Sequence, residues 1–600
     1  MAPAQDAYLA VERSLTGKRW RARGVDDRAA LALAQRLELP EIVGRVLAAR
    51  GVALDDAPRF LNPTLKECLP DPSRLRDMDR AVERLVAAIT AGERVAVLGD
   101  YDVDGACSAA ILARFFAGLG RDILVYVPDR VREGYGPNPA AVRRLHGEGA
   151  TLLVTVDCGT TAFAALEEAS RLGLDAIVVD HHVAEARLPD AVAIVNPNRL
   201  DDTGEHGELC AAGVTFLLVV ALNRALRQSY WYGEGHPEPD LMRLLDLVAL
   251  ATVCDVVPLT GINRALATQG LRVMARRGNA GIAALADAAG LAQRPDAYHA
   301  GFVLGPRVNA GGRVGESGLG ARLLATDDAA EARALALRLD GYNTERQRIE
   351  ETVQDAAMAQ AETQVSSGAA VILCAGEGWH QGVVGIVAGR IRERFDRPAL
   401  VVAVEAGIAR GSGRSIPGAP LGPAVIAARQ SGLIENGGGH AMAAGFTARA
   451  DRLGELRAFL EDRLLAALGG ALPVPALGID GALAPQAATR DLVDLLDRVG
   501  PFGSGNPRPR FAFPAARVAW AEPVGSAHVR CRITAAGGGA ALKAIAFRAQ
   551  GGPLGAALLT GRGTALHLAG HLRPDDWQGR AGAQLVIEDA APALPNAVAP

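Results

Sequence analysis

Six hundred residues are more than one hydrophobic core organises, so several domains are expected. Hydrophobic residues at 49% and charged ones at 22% describe an ordinary globular chain, and a net charge of −4 excludes binding to nucleic acid by bulk charge, leaving only a local basic patch. Seven dispersed cysteines, none in a C-x-x-C pair, an N-terminus without a charged-then-apolar leader, and apolar runs too short for a bilayer exclude a disulfide framework and a membrane span, and predict a reduced, cytoplasmic location.

Residues 1–80 read as an extension packing on the domain that follows, 81–325. From Arg94 to Leu259 strand and helix signals alternate. "RVAVLG", "ILVYVP", "TLLVTVD" and "DAIVVD" predict strands. "GACSAAILARFFAGLG" and "TAFAALEEASRLG" predict helices between them. That rhythm is the mark of a parallel sheet with crossover helices. "AAGVTFLLVVALNRAL" and "DLMRLLDLVALATV" predict two consecutive helices. Charged helical periodicity over 326–365 predicts a long connecting helix, with a candidate break at "DGYN". A second α/β segment spans 366–470, and "GGALPVPALG" is a linker. The remainder, 476–592, carries short strands and many glycines, which predicts a small β-barrel, with a β-sandwich as the alternative.

Chemistry concentrates in four short motifs. "DYDVDG" sets Asp100, Asp102 and Asp104 at alternate positions after an apolar run. "VDCG" adds Asp157, "DHH" adds Asp180, His181 and His182, and "CDVVPL" adds Asp255. The C-termini of parallel strands share one edge, so motifs at strand termini converge there. Repulsion among that many carboxylates is relieved most directly by divalent cations. A mixed Asp/His donor set suits Mn²⁺, with Mg²⁺ or Zn²⁺ as alternatives. Two ions sharing a carboxylate, roughly 3.5–4 Å apart, would form the clamp used for phosphoryl displacement by water. Cys107, Cys158 and Cys254 stand beside these motifs but have no base to activate them, and read as packing residues.

These motifs, in this order, resemble the DHH phosphoesterase superfamily, and most closely the RecJ single-stranded-DNA-specific exonucleases. "KRWRAR", "FLNPTL", "VPDRVREGYG", "GPRVNAGGRVG", "ENGGGHAMAAGF" and "PFGSGNPRPRF" extend the resemblance over almost the full chain. It implies an α/β protein: a parallel-sheet DHH domain, a second α/β DHHA1 domain joined by the long helix, and a C-terminal OB-like barrel. It implies two divalent cations, Mn²⁺ or Mg²⁺. Asp102 and Asp104 would each serve one ion, Asp157 would bridge both, and His181 and Asp255 would complete the second site. His182 would touch the scissile phosphate or the second metal sphere, with Asp100 and Asp180 orienting the ligands. Ser412 and Arg414 of "GSGRS", with Gly438, Gly439 and His440 of "GGGHAMAAG", would hold a terminal 5′-phosphate, and Arg130 would reach in from the first domain. Arg307, Asn309, Arg313, Asn343, Arg346 and Gln347 would track the strand. Trp379 and His380 match the family without a derivable role.

In the barrel, Phe502, Phe511, Phe513 and Trp520 are candidates for base stacking or for the core. Arg508, Arg510, Arg517, Arg530 and Arg532 supply local positive charge. The implied activity is 5′→3′ hydrolysis of single-stranded DNA to mononucleotides in DNA recombination and repair, by a monomer without membrane association. A helicase and a single-strand-binding protein are candidate partners. The rivals are another superfamily phosphodiesterase, for nano-oligonucleotides or cyclic dinucleotides, and a non-catalytic single-strand-binding scaffold. The active site is expected in a cleft between the two α/β domains, too narrow for a duplex.

Overall fold

The computed structural model describes residues 6–129, 133–134, 136–575 and 582–593. Strand β1 (Arg19–Ala22) precedes the first α/β domain, whose strands are β2 (Val95–Gly99), β3 (Leu124–Tyr126), β4 (Leu152–Val156), β5 (Asp175–Val179) and β6 (Ala193–Val195). They form one sheet in the order β3-β2-β4-β5-β6, parallel throughout. Every residue of β2 and β4 is buried. Such uninterrupted apolar runs are what a strand needs when helices cover both sheet faces. Helices Met78–Ala91, Val103–Gly118, Ala211–Gln228 and Leu245–Cys254 build the large core on one face. Helices Pro139–Gly147 and Phe163–Arg171 cover the other.

The connecting helix runs unbroken from Ala329 to Ser366, capped by the Asp328 carboxylate on the N–H groups of Ala330 and Glu331. There is no break at "DGYN". A mid-helix glycine costs about 1 kcal/mol relative to alanine, and apolar burial on both sides outweighs it. Ala332, Leu335, Ala336 and Leu339 enter the core of the first domain. Val353, Ala357 and Ala361 enter that of the second. One rigid rod therefore belongs to two cores.

The second domain holds β7 (Ile372–Glu377), β8 (Ala399–Glu405), β9 (Ile408–Arg414), β10 (Asn436–His440) and β11 (Ala443–Arg449). The order is β10-β11-β9-β8-β7, with only β7 and β8 parallel. Its glycine motifs lie on strands β9, β10 and β11. Ser412 of β9 faces Gly445 of β11, which faces Gly438 of β10. Side chains are thus missing at the positions in register with Ser412 on β11 and, one strand further out, on β10.

The last domain contains β12 (Ala476–Ile479), β13 (Gly481–Ala482), β14 (Phe511–Val524), β15 (His528–Ala535), β16 (Gly538–Ala546), β17 (Ala565–Asp575) and β18 (Gly582–Pro592). The run β14-β15-β16-β18-β17 closes through a β14–β17 pairing into a barrel, which removes the sandwich alternative. Phe511 and Phe513 are fully buried in it and cannot stack on bases, whereas Trp520 is 37% exposed.

The first half of the N-terminal extension joins this barrel rather than the first domain. β1 pairs in parallel with β12, and Leu33, Val43, Val46 and Leu47 share the barrel's core. The amphipathic faces of helices Asp27–Arg36 and Glu41–Ala48 find their apolar partner there. Only the later part, around Phe60 and Pro63, reaches the first domain, and Arg264 fastens that junction. Its guanidinium donates to the carbonyls of Phe60 and Val499, both at 2.9 Å, and lies 3.8 Å over the Phe60 ring. Arg264→Met keeps the bulk but orphans both carbonyls. The barrel junction should lose about 3 kcal/mol, read as a lower melting temperature and faster limited proteolysis between the first domain and the barrel. An unchanged melt would mean that apolar contact alone holds the junction.

Candidate metal centre

The C-terminal edge of the first sheet carries the acidic motifs. Asp100–Asp102 leave β2, Asp157 leaves β4, and Asp180–His182 leave β5. Asp255 differs from expectation, since it ends the helix Leu245–Cys254 rather than a strand. That helix is buried for most of its length, which aims its C-terminal end at the rim.

Local geometry follows from the sequence. The Asp102 carboxylate caps the helix Val103–Gly118, accepting from the N–H groups of Asp104 (2.9 Å) and Gly105 (3.2 Å). A Cβ at Gly105 would stand 2.4 Å from the Asp100 carbonyl oxygen, so this tight fold-back requires glycine. Asp157 adopts φ 60° and Val256 φ 61°, both left-handed. For a β-branched residue such as Val256 this is strained backbone, of the sort that clusters at functional sites.

Three sets of donor atoms lie within 4.8 Å of one another: Asp100, Asp102 and Asp157; Asp104, His181 and Asp255; and Asp157, His181 and His182. Asp157 and His181 recur in two sets each, so the groups form one continuous cluster. Asp100, expected to orient the ligands, lies close enough to Asp102 and Asp157 to offer a donor atom itself. Asp180 lies behind the two histidines: one oxygen accepts from the His181 N–H, the His182 N–H and His182 Nδ1 (2.8 Å), and the other from the Thr160 N–H. His181 Nδ1 donates to the Leu209 carbonyl at 3.1 Å, which puts the lone pair on Nε2. That nitrogen is 3.4 Å from Asp157 and 3.8 Å from Asp104. The Asp104 carboxylate also accepts from the N–H groups of Ala211 (2.7 Å) and Ala212 (2.8 Å), at the start of the helix Ala211–Gln228. Each oxygen retains a second lone pair.

Burial sets the electrostatics. It pushes the carboxyls of Asp104 and Asp157 upward, and neighbouring aspartates add to this. Burial and the charges of Asp104 and Asp102 raise Asp255 to about 8. Asp180 runs the other way: although burial opposes its charge, the His182 contact and backbone N–H bonds hold it well below the usual range. For His182 burial opposes protonation too, but Asp180 raises it to about 9. Carboxylates crowded until they prefer protons, beside an imidazole lone pair and without thiolate, fit a Mn²⁺ or Mg²⁺ site. The thiols of Cys107, Cys158 and Cys254 are driven up by burial, as expected of packing residues.

Two residues outside the expected set buttress this cluster. Asn196 donates to the His182 carbonyl (2.8 Å) and Asn198 to the His181 carbonyl (2.6 Å). Both lie in "VNPN" just after β6, a polar pair ending an apolar run, which is the same signal that marked the aspartates.

The expected strand-tracking residues divide. Arg346 is buried, bonded to Asn343 and Glu350 in the polar seam of the connecting helix. Asn343 is buried with it. Neither offers a surface to a strand, because this helix face is enclosed between two domains. Gln347 is exposed, and Arg307 is paired with Asp340 at 2.9 Å. Asn309 accepts from the Val103 N–H (3.1 Å), pinning the acidic loop, and Arg313 donates to the Gly382 carbonyl (3.1 Å) of the second domain. Gly312 between them packs directly on Tyr101. This short stretch therefore couples the metal rim to the second domain. His380 Nδ1 accepts from the Gly382 N–H (3.0 Å), which assigns it to the same joint, and Trp379 packs against the second domain's core. Ser412 and Arg414 sit together, Arg414 donating to Ser412 Oγ at 3.2 Å. Both lie against Gly385 in the first turn of the helix Val384–Phe395. Gly438, Gly439 and His440 line the outer strand β10 of that sheet. Arg130 lies outside the described residues.

This fold and rim define a DHH-type protein: residues 94–252 match the family model of the DHH family, N-terminal domain, and residues 367–466 that of the DHHA1 domain. Residues 479–589 match the RecJ OB domain. The single-stranded-DNA-specific exonuclease RecJ of Escherichia coli strain K12 is 37% identical over 95% of this chain and 99% of its own length. A crystal structure of RecJ from Thermus thermophilus in complex with Mn²⁺ superposes with TM-score 0.78 and 31% identity, covering 95% of this chain and 79% of that one. The Mg²⁺ complex from the same organism gives 0.73 and 30%, over 95% and 78%. The chain belongs to the RecJ family.

Raised carboxyl pKa values make metal uptake and stability pH-dependent. For Asp104, Asp157 and Asp255 the folded protein binds protons more tightly than the unfolded chain, so without metal their contribution is present at low pH and lost as pH rises through the folded values, about 8 for Asp255. A cation replaces those protons. The rise in melting temperature on adding Mn²⁺ should therefore be larger at pH 8 than at pH 5. At a hundredfold excess over Kd it corresponds to about 3 kcal/mol. Calorimetry across that range checks this; a Mn²⁺ increment independent of pH would refute the coupling.

Proposed function

We propose that this chain is a divalent-cation-dependent exonuclease that hydrolyses single-stranded DNA from the 5′ end to mononucleotides. The observation that carries the reading is the continuous Asp/His cluster at the sheet rim, tied through Arg313 and Gly382 to a domain with a second, phosphate-suited locus. Relatives that match end to end are named single-stranded-DNA-specific exonucleases, and solved relatives hold Mn²⁺ or Mg²⁺. Every expected ligand is present, which disfavours a non-catalytic scaffold. The barrel, the N-terminal extension and the match over nearly the full chain disfavour the small phosphodiesterases.

Asp102, Asp104, Asp157, His181 and Asp255 would hold two cations, Mn²⁺ or Mg²⁺, with Asp100 as a further donor. When bound, such ions lower the pKa of a water molecule and neutralise phosphate charge. The protein's own groups do the rest. His182, protonated at neutral pH through Asp180, presents positive charge to the scissile phosphate and is half-exposed, as that contact requires. Asp180 and the Leu209 carbonyl fix the two imidazoles so that no reorganisation is needed during reaction. Arg414 and Ser412, beside a helix N-terminus, bind the terminal 5′-phosphate and set the polarity. A flexible single strand threads between the domains, and a blunt duplex does not. Action in recombination and repair, a monomeric state, a cytoplasmic location, and cooperation with a helicase or a single-strand-binding protein belong to the same proposal. Among the described residues no helix is long and apolar enough to cross a membrane.

Digestion of 5′-labelled and 3′-labelled single strands with Mn²⁺ tests the reading: labelled mononucleotide should appear at once only from the 5′ label. Asp157→Ala should abolish hydrolysis at saturating Mn²⁺ while single-strand binding persists; near-normal turnover would defeat the ligand assignment. Arg414→Ala should weaken binding of 5′-phosphorylated strands about ten- to a hundredfold more than 5′-hydroxyl strands, the worth of one charge-assisted contact. Equal losses on both would make Arg414 structural.

A further inference from the structure

The helix that delivers "GPRVNAGGR" begins with a π-helical turn, His299–Leu304. Its inner side is anchored to the metal centre's scaffold. Ala300 and Leu304 are fully buried in the first domain's core, and the Cys254 thiol, next to Asp255, donates to the Ala300 carbonyl at 3.5 Å. Its outer side carries two aromatic rings in water: Tyr298 is 60% exposed and Phe302 71%. The rings are stacked, with centroids 5.3 Å apart and planes 25° from parallel. In a chain with only 4% aromatics, a solvent-facing stacked pair has an energetic cost that packing within this molecule does not explain.

The surroundings point to one occupant. Val256, the residue after Asp255, is 68% exposed in its strained conformation. The loop continues to Leu259, whose N–H donates to the Ser504 carbonyl (2.8 Å) of the segment leading into the barrel, where Arg508 lies 4.8 Å over Phe502. The turn that carries the aromatic pair thus packs directly behind Asp255, on the segment that runs from the metal rim to the barrel. The phosphate locus of Ser412 and Arg414 reaches the rim through a different joint, at Gly312, Arg313 and Gly382. Asp296, the nearest acid on this turn, is held by His299 Nδ1 at 2.5 Å, and Arg294 beside it is exposed. A flat, rigid aromatic surface near cations is what a nucleobase stacks on, and any base will do, since each has a π-face. We propose that Tyr298 and Phe302 form a stacking platform for bases of the strand on the 3′ side of the scissile bond, holding the incoming DNA in line with the metal centre.

The inference rests on the single-strand exonuclease reading, and the two fail differently: if the wild-type protein releases nothing from 5′ ends, that reading falls whatever the platform does. The test is a double variant, Tyr298→Ser with Phe302→Ser. Both rings are exposed, so the fold is checked by an unchanged melting temperature. On long oligothymidylate, kcat/KM should fall about tenfold or more, chiefly through KM. An abasic scan gives the sharper readout. One window of abasic positions downstream of the 5′ end should impair the wild-type enzyme, and the same substitutions should cost the double variant nothing further. Tyr298→Trp with Phe302→Trp should restore binding. A KM unaltered by the serine pair, or an abasic penalty of equal size in both proteins, would overturn the platform and leave the rings as a face for a protein partner.

Discussion

Mutual repulsion among carboxylates in a poorly hydrated rim is the constraint on which this structure turns. Asp100, Asp104, Asp157 and Asp180 are all at most 5% exposed. Such a group costs several kcal/mol unless charge or hydrogen bonds compensate it. The fold answers some of them and not others. Asp180 receives His182 and three backbone N–H groups, and is content as an anion. Asp104 receives a helix N-terminus. Asp102 caps its own helix. Asp157 receives no comparable set; burial and the neighbouring aspartates push its carboxyl upward, a repulsion that a divalent cation would relieve. The centre is built so that a cation completes it, and the surrounding architecture supports that strained arrangement.

That support explains the helix-rich cladding of the sheet. β2 and β4 must be buried on both faces for their C-termini to be rigid enough to hold like charges at close range. Asn196 and Asn198 tie down the carbonyls of the two histidines, and Asn309 ties the acidic loop to a distant helix. The same helix then reaches Tyr101 through Gly312 and the Gly382 carbonyl through Arg313. Metal rim and second domain are consequently not two independent bodies sharing a linker. The unbroken 38-residue connector, with a core at either end and a buried Asn343–Arg346–Glu350 seam between, sets the separation of the two loci.

The barrel and the N-terminal extension form the third body. The buried Trp20 indole donates to Asp589 at 2.8 Å, and β1 extends the barrel's periphery. Arg264 then secures the assembly to the first domain. Segments from opposite ends of the chain meet here, so the first and last elements stabilise one another across the intervening domains.

Much of the chemistry was legible in the residues themselves. An apolar run closed by Asp or His names both the strand and its functional end, because burial on two faces and a polar rim each leave a local trace. The glycine motifs, the connector and the barrel were legible for similar reasons of composition and period. What stayed hidden depends on which surfaces meet. Charged periodicity along the connector looks the same whether a face meets water or another domain, so Arg346 read as strand-facing when it is enclosed. Phe511 and Phe513 carry no mark separating core from platform, and Tyr298 with Phe302, spaced like a core pair, turn out to face solvent. The carboxylate of Asp255 was evident just after a predicted helix, but not that it stands beside Asp104 and His181; Asp100 was evident, but not its approach to Asp157. Local sequence determines which residues can ligate and which segments form strands, through short-range sterics and periodic burial. Only the tertiary structure decides which of them share a few ångströms and which lose their water, because those are properties of contacts between segments far apart in the chain.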